Sequence, residues 1–290
     1  MTAGLELRNL TVKRGALTIC RDIQFSVPLG EITVLLGANG AGKTTLLDGI
    51  VGLAPLAAGE IWMGERRIDG MPVYRRAAQG LAYVEQGRSV FSRLTVAQNI
   101  AVVDRSRAAL EAAFALFPQL AGKRDVRADR LSGGEQQMLV IARALATKPS
   151  ILIIDELSLG LAPTVVRTLI RVLADLAKQG MGILLVEQFA EAALSVGTTA
   201  HIMERGRIAR SDACATLLND HASLIGRQPH REYTDDFEHR RRSQAGTRRP
   251  SSYSGPFPAV PCHTGRLPTI VHRADPATII RPFPHGRAVD

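Results

Sequence analysis

The stretch Gly37-Ala38-Asn39-Gly40-Ala41-Gly42-Lys43-Thr44-Thr45 has the spacing G-x-x-x-x-G-K-T. It follows the apolar run Ile32-Thr33-Val34-Leu35-Leu36 and precedes Leu46-Leu47-Asp48-Gly49-Ile50-Val51. That order predicts a strand, a glycine-rich turn and a helix. Glycines let backbone N–H groups curl around a phosphate with no Cβ in the way. The helix that follows points its positive end at the same anion. Lys43 can reach the outer phosphates and the Thr44 hydroxyl can ligate Mg²⁺. A connecting turn would need the glycines but not the Lys-Thr pair.

A second stretch supplies carboxylates. Ile151-Leu152-Ile153-Ile154 is an apolar strand that ends in Asp155-Glu156. In a parallel sheet the strand C-termini gather at one edge, where ligands bind. Asp155 can hold Mg²⁺ beside Thr44, and Glu156 can polarise an attacking water as a general base. A third stretch, Leu131-Ser132-Gly133-Gly134-Glu135-Gln136-Gln137, precedes a helix. It offers a hydroxyl and backbone N–H groups at a helix N-terminus, a second anion site.

These stretches need a scaffold. Residues 5–36 read as strands, with Leu5–Leu7, Leu10–Val12 and Ile23–Val27 as apolar alternations. They predict an antiparallel β layer ahead of the buried strand 32–36. A helix after the glycine loop should end near Gly52, and strands are expected at 59–64 and 81–84. Residues 87–130 show no strand. Thr95-Val96-Ala97-Gln98 has capping-box form, and Arg107 to Phe117 reads as a helix stopped at Pro118. Buried strands follow at 151–154 and 182–186, separated by a helix over about 165–178, and then a hairpin around Arg205-Gly206. Strands alternating with helices indicate α/β architecture with a mostly parallel core sheet.

Composition agrees. Among 290 residues 46% are apolar and 4% aromatic, which suits a Leu-, Ile-, Val- and Ala-rich α/β domain. No run approaches membrane-span length, and the N-terminus lacks a basic flank and apolar signal core. A cytosolic location is therefore expected. Cys20, Cys214 and Cys262 are far apart, as structural thiols would be. The net charge is +9, of which residues 229–290 contribute +4, from ten Arg against six Asp and Glu. Nine of fifteen prolines lie there too, and no helical or strand period persists. Residues 229–290 read as a disordered tail, with a basic arm for lipid or nucleic acid, or the scar of an altered reading frame, as alternatives.

Together these motifs resemble the ATP-binding subunits of ABC transporters, over residues 5 to about 226. The resemblance rests on the phosphate loop, Gln86 after a strand, LSGGEQQ at 131–137, IIDE at 153–156 and a polar residue closing the 182–186 strand. It implies a P-loop ABC cassette over residues 1–228, with a helical subdomain at about 87–145. Its cofactors would be ATP and Mg²⁺. Gly37, Asn39, Gly40, Ala41, Gly42, Lys43, Thr44 and Thr45 would bind nucleotide. Thr44, Gln86 and Asp155 would hold the metal, and Glu156, Gln86 and Gln188 would serve hydrolysis. Ser132, Gly133 and Gly134 would touch the γ-phosphate bound by a second cassette, either a copy or a relative. Gln86 would also relay nucleotide state towards the membrane subunits, with residues 87–105 as the docking surface.

The strings at 83–91, 93–96, 158–163 and 184–188 look like ATPases of branched-chain amino acid importers, and the related urea and short-chain amide importers share them. That branch implies two permease subunits and an extracytoplasmic solute-binding protein, with the cassette on the cytoplasmic face of the membrane. Gln188, where most ABC ATPases have His, is a mark of the branch. Gln cannot take up a proton, which leaves Glu156 as the base. Lys13-Arg14 stands where an adenine-stacking aromatic is usual, and the Arg14 guanidinium could stack instead. Glu85 and Leu157 replace prolines, and Phe189 replaces Asn. The alternative from another class is a soluble ABC-type ATPase acting on nucleic acid. One cassette and a short insert argue against it, and only the Arg-rich tail argues for it.

Overall fold

A computed structural model describes residues 4–188 and 190–225, the side chains of 221–225 excepted. The Arg-rich tail expected at 229–290 lies outside the described residues, as does Phe189.

The chain opens with two long strands, β1 (Leu5–Arg14) and β2 (Leu17–Val27), paired antiparallel. Sequence alternation placed two short strands in 5–12 and started the next at Ile23. The structure joins and lengthens them. The register shifts between Leu7 and Leu10, where Asn9 adopts a left-handed φ of 49°. The extra residue of a bulge resets the parity, so Leu5, Leu7, Leu10 and Val12 all face one core across a break in the alternation. The buried strand β3 (Ile32–Leu36) follows, then α1 (Lys43–Val51), closed at Gly52 as expected. β4 (Leu56–Met63) and the short β5 (Arg66–Arg67) complete a four-stranded antiparallel sheet in the order β2-β1-β4-β5.

The short helix α2 (Val73–Ala78) leads to β6 (Leu81–Val84). The insert then contains helices α3 (Val96–Ala101), α4 (Arg107–Leu116), α5 (Pro118–Ala121) and, after a 3-10 turn, α6 (Gly133–Leu145). Thr95 closes the expected capping box with Gln98. Pro118 ends α4 but also starts α5, because proline fits the first turn of a helix, where no N–H is needed. The core resumes with β7 (Ile151–Asp155), α7 (Pro163–Lys178), β8 (Gly182–Glu187), α8 (Ala190–Leu194), the hairpin β9 (Thr199–Glu204) and β10 (Arg207–Ala213), and α9 (Cys214–Ile225).

The second sheet has the order β10-β9-β3-β8-β7-β6. Its five strands from β9 to β6 run parallel, and β10 is antiparallel. Each central strand is buried on both faces and serves two cores by alternation. Leu152, Ile154, Ile183 and Leu185 pack towards α6 and α7, whereas Ile151, Ile153, Leu184 and Val186 pack towards α1 and the antiparallel sheet. Helix α1 is thus wedged between the two sheets, through Leu46, Leu47, Ile50 and Val51. Cys20 and Cys214 are buried, and burial pushes both thiols up to about 11.

Candidate nucleotide site

Register brings the motifs together. Leu36 of β3 pairs with Glu187 of β8, Val186 of β8 with Asp155 of β7, and Ile154 of β7 with Val84 of β6. Four neighbouring parallel strands therefore end side by side. The glycine loop follows the first, Gln188 the second, Glu156 the third and Gln86 the fourth. A cleft of about 500 Å³ opens at this edge. Its walls include Asn39, Gly40, Gly42, Lys43, Thr44 and Thr45 from the loop and helix. Gln86, Glu156, Gln188 and Arg14 face it as well.

The loop turns through Gly42, whose φ of 106° is open to glycine and strained for other residues. A Cβ there would also stand 3.1 Å from the Met203 side chain. Lys43 is buried, and its ammonium donates to the carbonyl oxygens of Gly37 at 2.8 Å and Ala38 at 3.4 Å. It lies 3.9 Å from the Glu156 carboxylate. Glu156 has a left-handed φ of 50°, and its N–H donates to the Val186 carbonyl at 2.9 Å. The Gln86 amide donates to Glu156 Oε2 at 2.5 Å. One carboxylate is thereby held between an ammonium and an amide at the mouth of the cleft.

Asp155 is buried behind Thr44, whose hydroxyl donates to Oδ2 at 3.2 Å. Burial pushes the Asp155 carboxyl up to about 6, and Glu156 adds to the rise, while the Thr44 hydroxyl and Lys43 oppose it. Its Oδ1 is buried without a partner among the described residues. An orphaned carboxylate oxygen beside a hydroxyl fits a hard cation that takes oxygen ligands. Mg²⁺ is such a cation, commonly held by one or two carboxylates together with substrate phosphates.

Arg14 lines the cleft from the end of β1, with its guanidinium bound to Asp48 of α1 at 2.7 Å. Gly37, Ala41 and Asp155 are not on the cleft wall. Ser132, Gly133 and Gly134 are not on it either. Ser132 caps α6, accepting from the Glu135 amide, while the Glu135 carboxylate accepts from the Ser132 N–H. Lys123 pairs with Glu135 at 2.6 Å and braces that cap.

Two features escaped the sequence. Ile19 and Leu159 also line the cleft. Glu187, which extends β8 by one residue, is buried and accepts from the Ser158 amide at 2.9 Å and hydroxyl at 2.8 Å. Burial raises its carboxyl, and the two Ser158 donors oppose that rise. Its position beside Gln188 was the available signal.

A phosphate loop, a carboxylate pair and a helix-capping LSGGEQQ loop on this sheet define a nucleotide-hydrolysing cassette. The comparisons make the class specific. Residues 20–158 match the ABC transporter family. The chain is 40% identical over 212 residues to the high-affinity branched-chain amino acid transport ATP-binding protein BraG of Pseudomonas aeruginosa, covering 71% of this chain and 91% of that protein. It is 33% identical over 226 residues to the lipopolysaccharide export system ATP-binding protein LptB of Escherichia coli, covering 75% and 94%. A solved ATP-binding subunit of an ABC transporter superposes with a TM-score of 0.65 at 26% identity, covering 77% of this chain and 93% of that one. The chain belongs to the ATP-binding subunits of ABC transporters, and its activity is that of an ATPase.

Proposed function

We propose that this chain hydrolyses MgATP to power an importer of branched-chain amino acids, as one of two cassettes on the cytoplasmic face of a membrane. The observation that carries the hydrolytic assignment is Glu156, fixed between Lys43 and Gln86 at the mouth of the phosphate cleft. The loop N–H groups and Lys43 bind and orient the phosphates, Lys43 exchanging its carbonyl partners for phosphate oxygens. Thr44, Asp155 and Gln86 would hold Mg²⁺. The ion would supply positive charge beside the phosphates. Glu156 takes a proton from water as the water oxygen bonds to the γ-phosphorus. The bond to the bridging oxygen breaks, giving ADP and phosphate. Gln188 hydrogen-bonds the γ-phosphate from the adjoining strand.

The second cassette enters because Ser132, Gly133 and Gly134 are not among the residues that line this chain's own cleft. They would complete the partner's site. No helix among the described residues is long and apolar enough to cross a membrane, so transport needs permease subunits. An apolar cavity of about 310 Å³, lined by Leu53, Val73, Tyr83, Val103 and Val140, lies between the core sheet and the insert and offers a docking groove. Of the expected segment 87–105, Val103 reaches it. The similarity to BraG supports the solute, and an extracytoplasmic binding protein would deliver it.

The direct test is Glu156→Gln. It should abolish hydrolysis while ATP stays bound and the cassettes stay paired, and unchanged turnover would remove Glu156 as base. The solute is tested by co-purifying the permease subunits and asking which solute, with its binding protein, stimulates hydrolysis. Leucine-type amino acids are expected to do so. Stimulation by urea, by amides or by lipopolysaccharide would reassign the transporter.

A further inference from the structure

The segment after β6 meets the segment after β7 at two points. Gln86 reaches Glu156. Two residues later, Arg88 Nη2 donates to the carbonyl oxygens of Leu159 at 2.7 Å and Gly160 at 3.1 Å. The same guanidinium lies against the LSGGEQQ loop: a Cβ on Gly133 would stand 2.7 Å from Arg88 Nη1. Arg88 itself has a left-handed φ of 55° and follows Gly87 at 98°. A non-glycine residue keeps such a backbone only where its surroundings enforce it. Across the 158–160 loop, Ser158 is fixed by Glu187, the neighbour of Gln188. One planar fork therefore joins three segments: the one bearing Gln86, the one that follows Glu156, and the one that opens α6.

We propose that Arg88 is a positioning residue for ATP hydrolysis. By donating to the carbonyls of Leu159 and Gly160 while its guanidinium lies against Gly133, it makes the placement of this chain's Glu156 depend on whether its LSGGEQQ loop is engaged on a partner's nucleotide. The two sites of the paired cassettes are thereby coupled. The proposal rests on the two-cassette reading above. Planarity matters: guanidinium can span two carbonyls and cover a glycine, and an ammonium cannot do all three.

The test compares full-length wild type with Arg88→Ala and Arg88→Lys, measuring hydrolysis against ATP concentration together with thermal melting. Arg88→Ala is expected to lower kcat about tenfold with KM within about twofold. The Hill coefficient should fall from about 2 towards about 1, because coupling between the sites is lost. Melting should stay near wild type, and Arg88→Lys should fall between the two. A cooperative wild type with an equally cooperative Arg88→Ala overturns the proposal. So does a parallel loss of kcat, ATP binding and melting temperature, which marks a purely structural role. If Arg88→Ala does not fold, an unchanged Hill coefficient in Arg88→Lys overturns it. A hyperbolic wild type whose Glu156→Gln form stays monomeric overturns the two-cassette reading itself, and the proposal with it.

Discussion

Glu187 shows how a single buried carboxylate can serve a site it does not face. Its two oxygens accept from the Ser158 amide and hydroxyl, so it orients the loop between Glu156 and Gly160. Removing it would leave both donors of the half-buried Ser158 without these acceptors, at a cost of about 1–3 kcal/mol. Glu187→Ala is therefore expected to lower stability by that amount in urea denaturation. Glu187→Gln, which keeps one acceptor, should lose less. Equal losses would mean that filling space, not accepting hydrogen bonds, is the role of Glu187. At this scale the sequence was legible where a motif directly follows an apolar run, as the loop from Gly37 to Thr45 and Asp155-Glu156 do. It was silent on Arg88, because its partners are backbone carbonyls 71 and 72 residues away, and any residue type supplies those.

Elements were legible in proportion to the regularity of their periods. The central strands β3, β7 and β8 read correctly because both faces are buried and nothing interrupts the run. β1 and β2 read as fragments because bulges break the alternation, not because the strands break. β9 contributes His201, which was not singled out. It is buried, stacks on Phe25 of β2 at 4.7 Å and shares a hydrogen bond with Ser211 of β10 at 2.7 Å. Burial lowers its pKa, so the fold favours the neutral ring. The sign follows: its contribution is complete above the unfolded value of about 6.5 and is lost as pH falls from there through the lower folded value. Wild type should therefore lose melting temperature between pH 7 and pH 5 more steeply than His201→Gln, which has no ring to protonate. Parallel melting curves would show that His201 is not buried neutral.

The whole molecule divides its labour between two cores that share one parallel sheet. α1 is packed from both sides, by the antiparallel sheet and by alternate residues of β3, β7 and β8. The phosphate loop therefore sits on a rigid base. The helix that carries the LSGGEQQ loop belongs to the other core, with the insert. A movement of the insert would shift Ser132–Gly134 and leave the phosphate loop in place, which suits a site completed across two chains. Among the described residues, those assigned to nucleotide, metal or coupling, and the buried residues of both cores, fall between Leu5 and Leu217. Cutting the chain after residue 228 is expected to leave kcat and KM within about twofold of the full chain, with an unchanged melting temperature. Salt-sensitive nucleic-acid binding that vanished with the same cut would assign the tail a separate role. A truncated chain that precipitates, or that loses ATP binding, would show that the last 62 residues complete the fold.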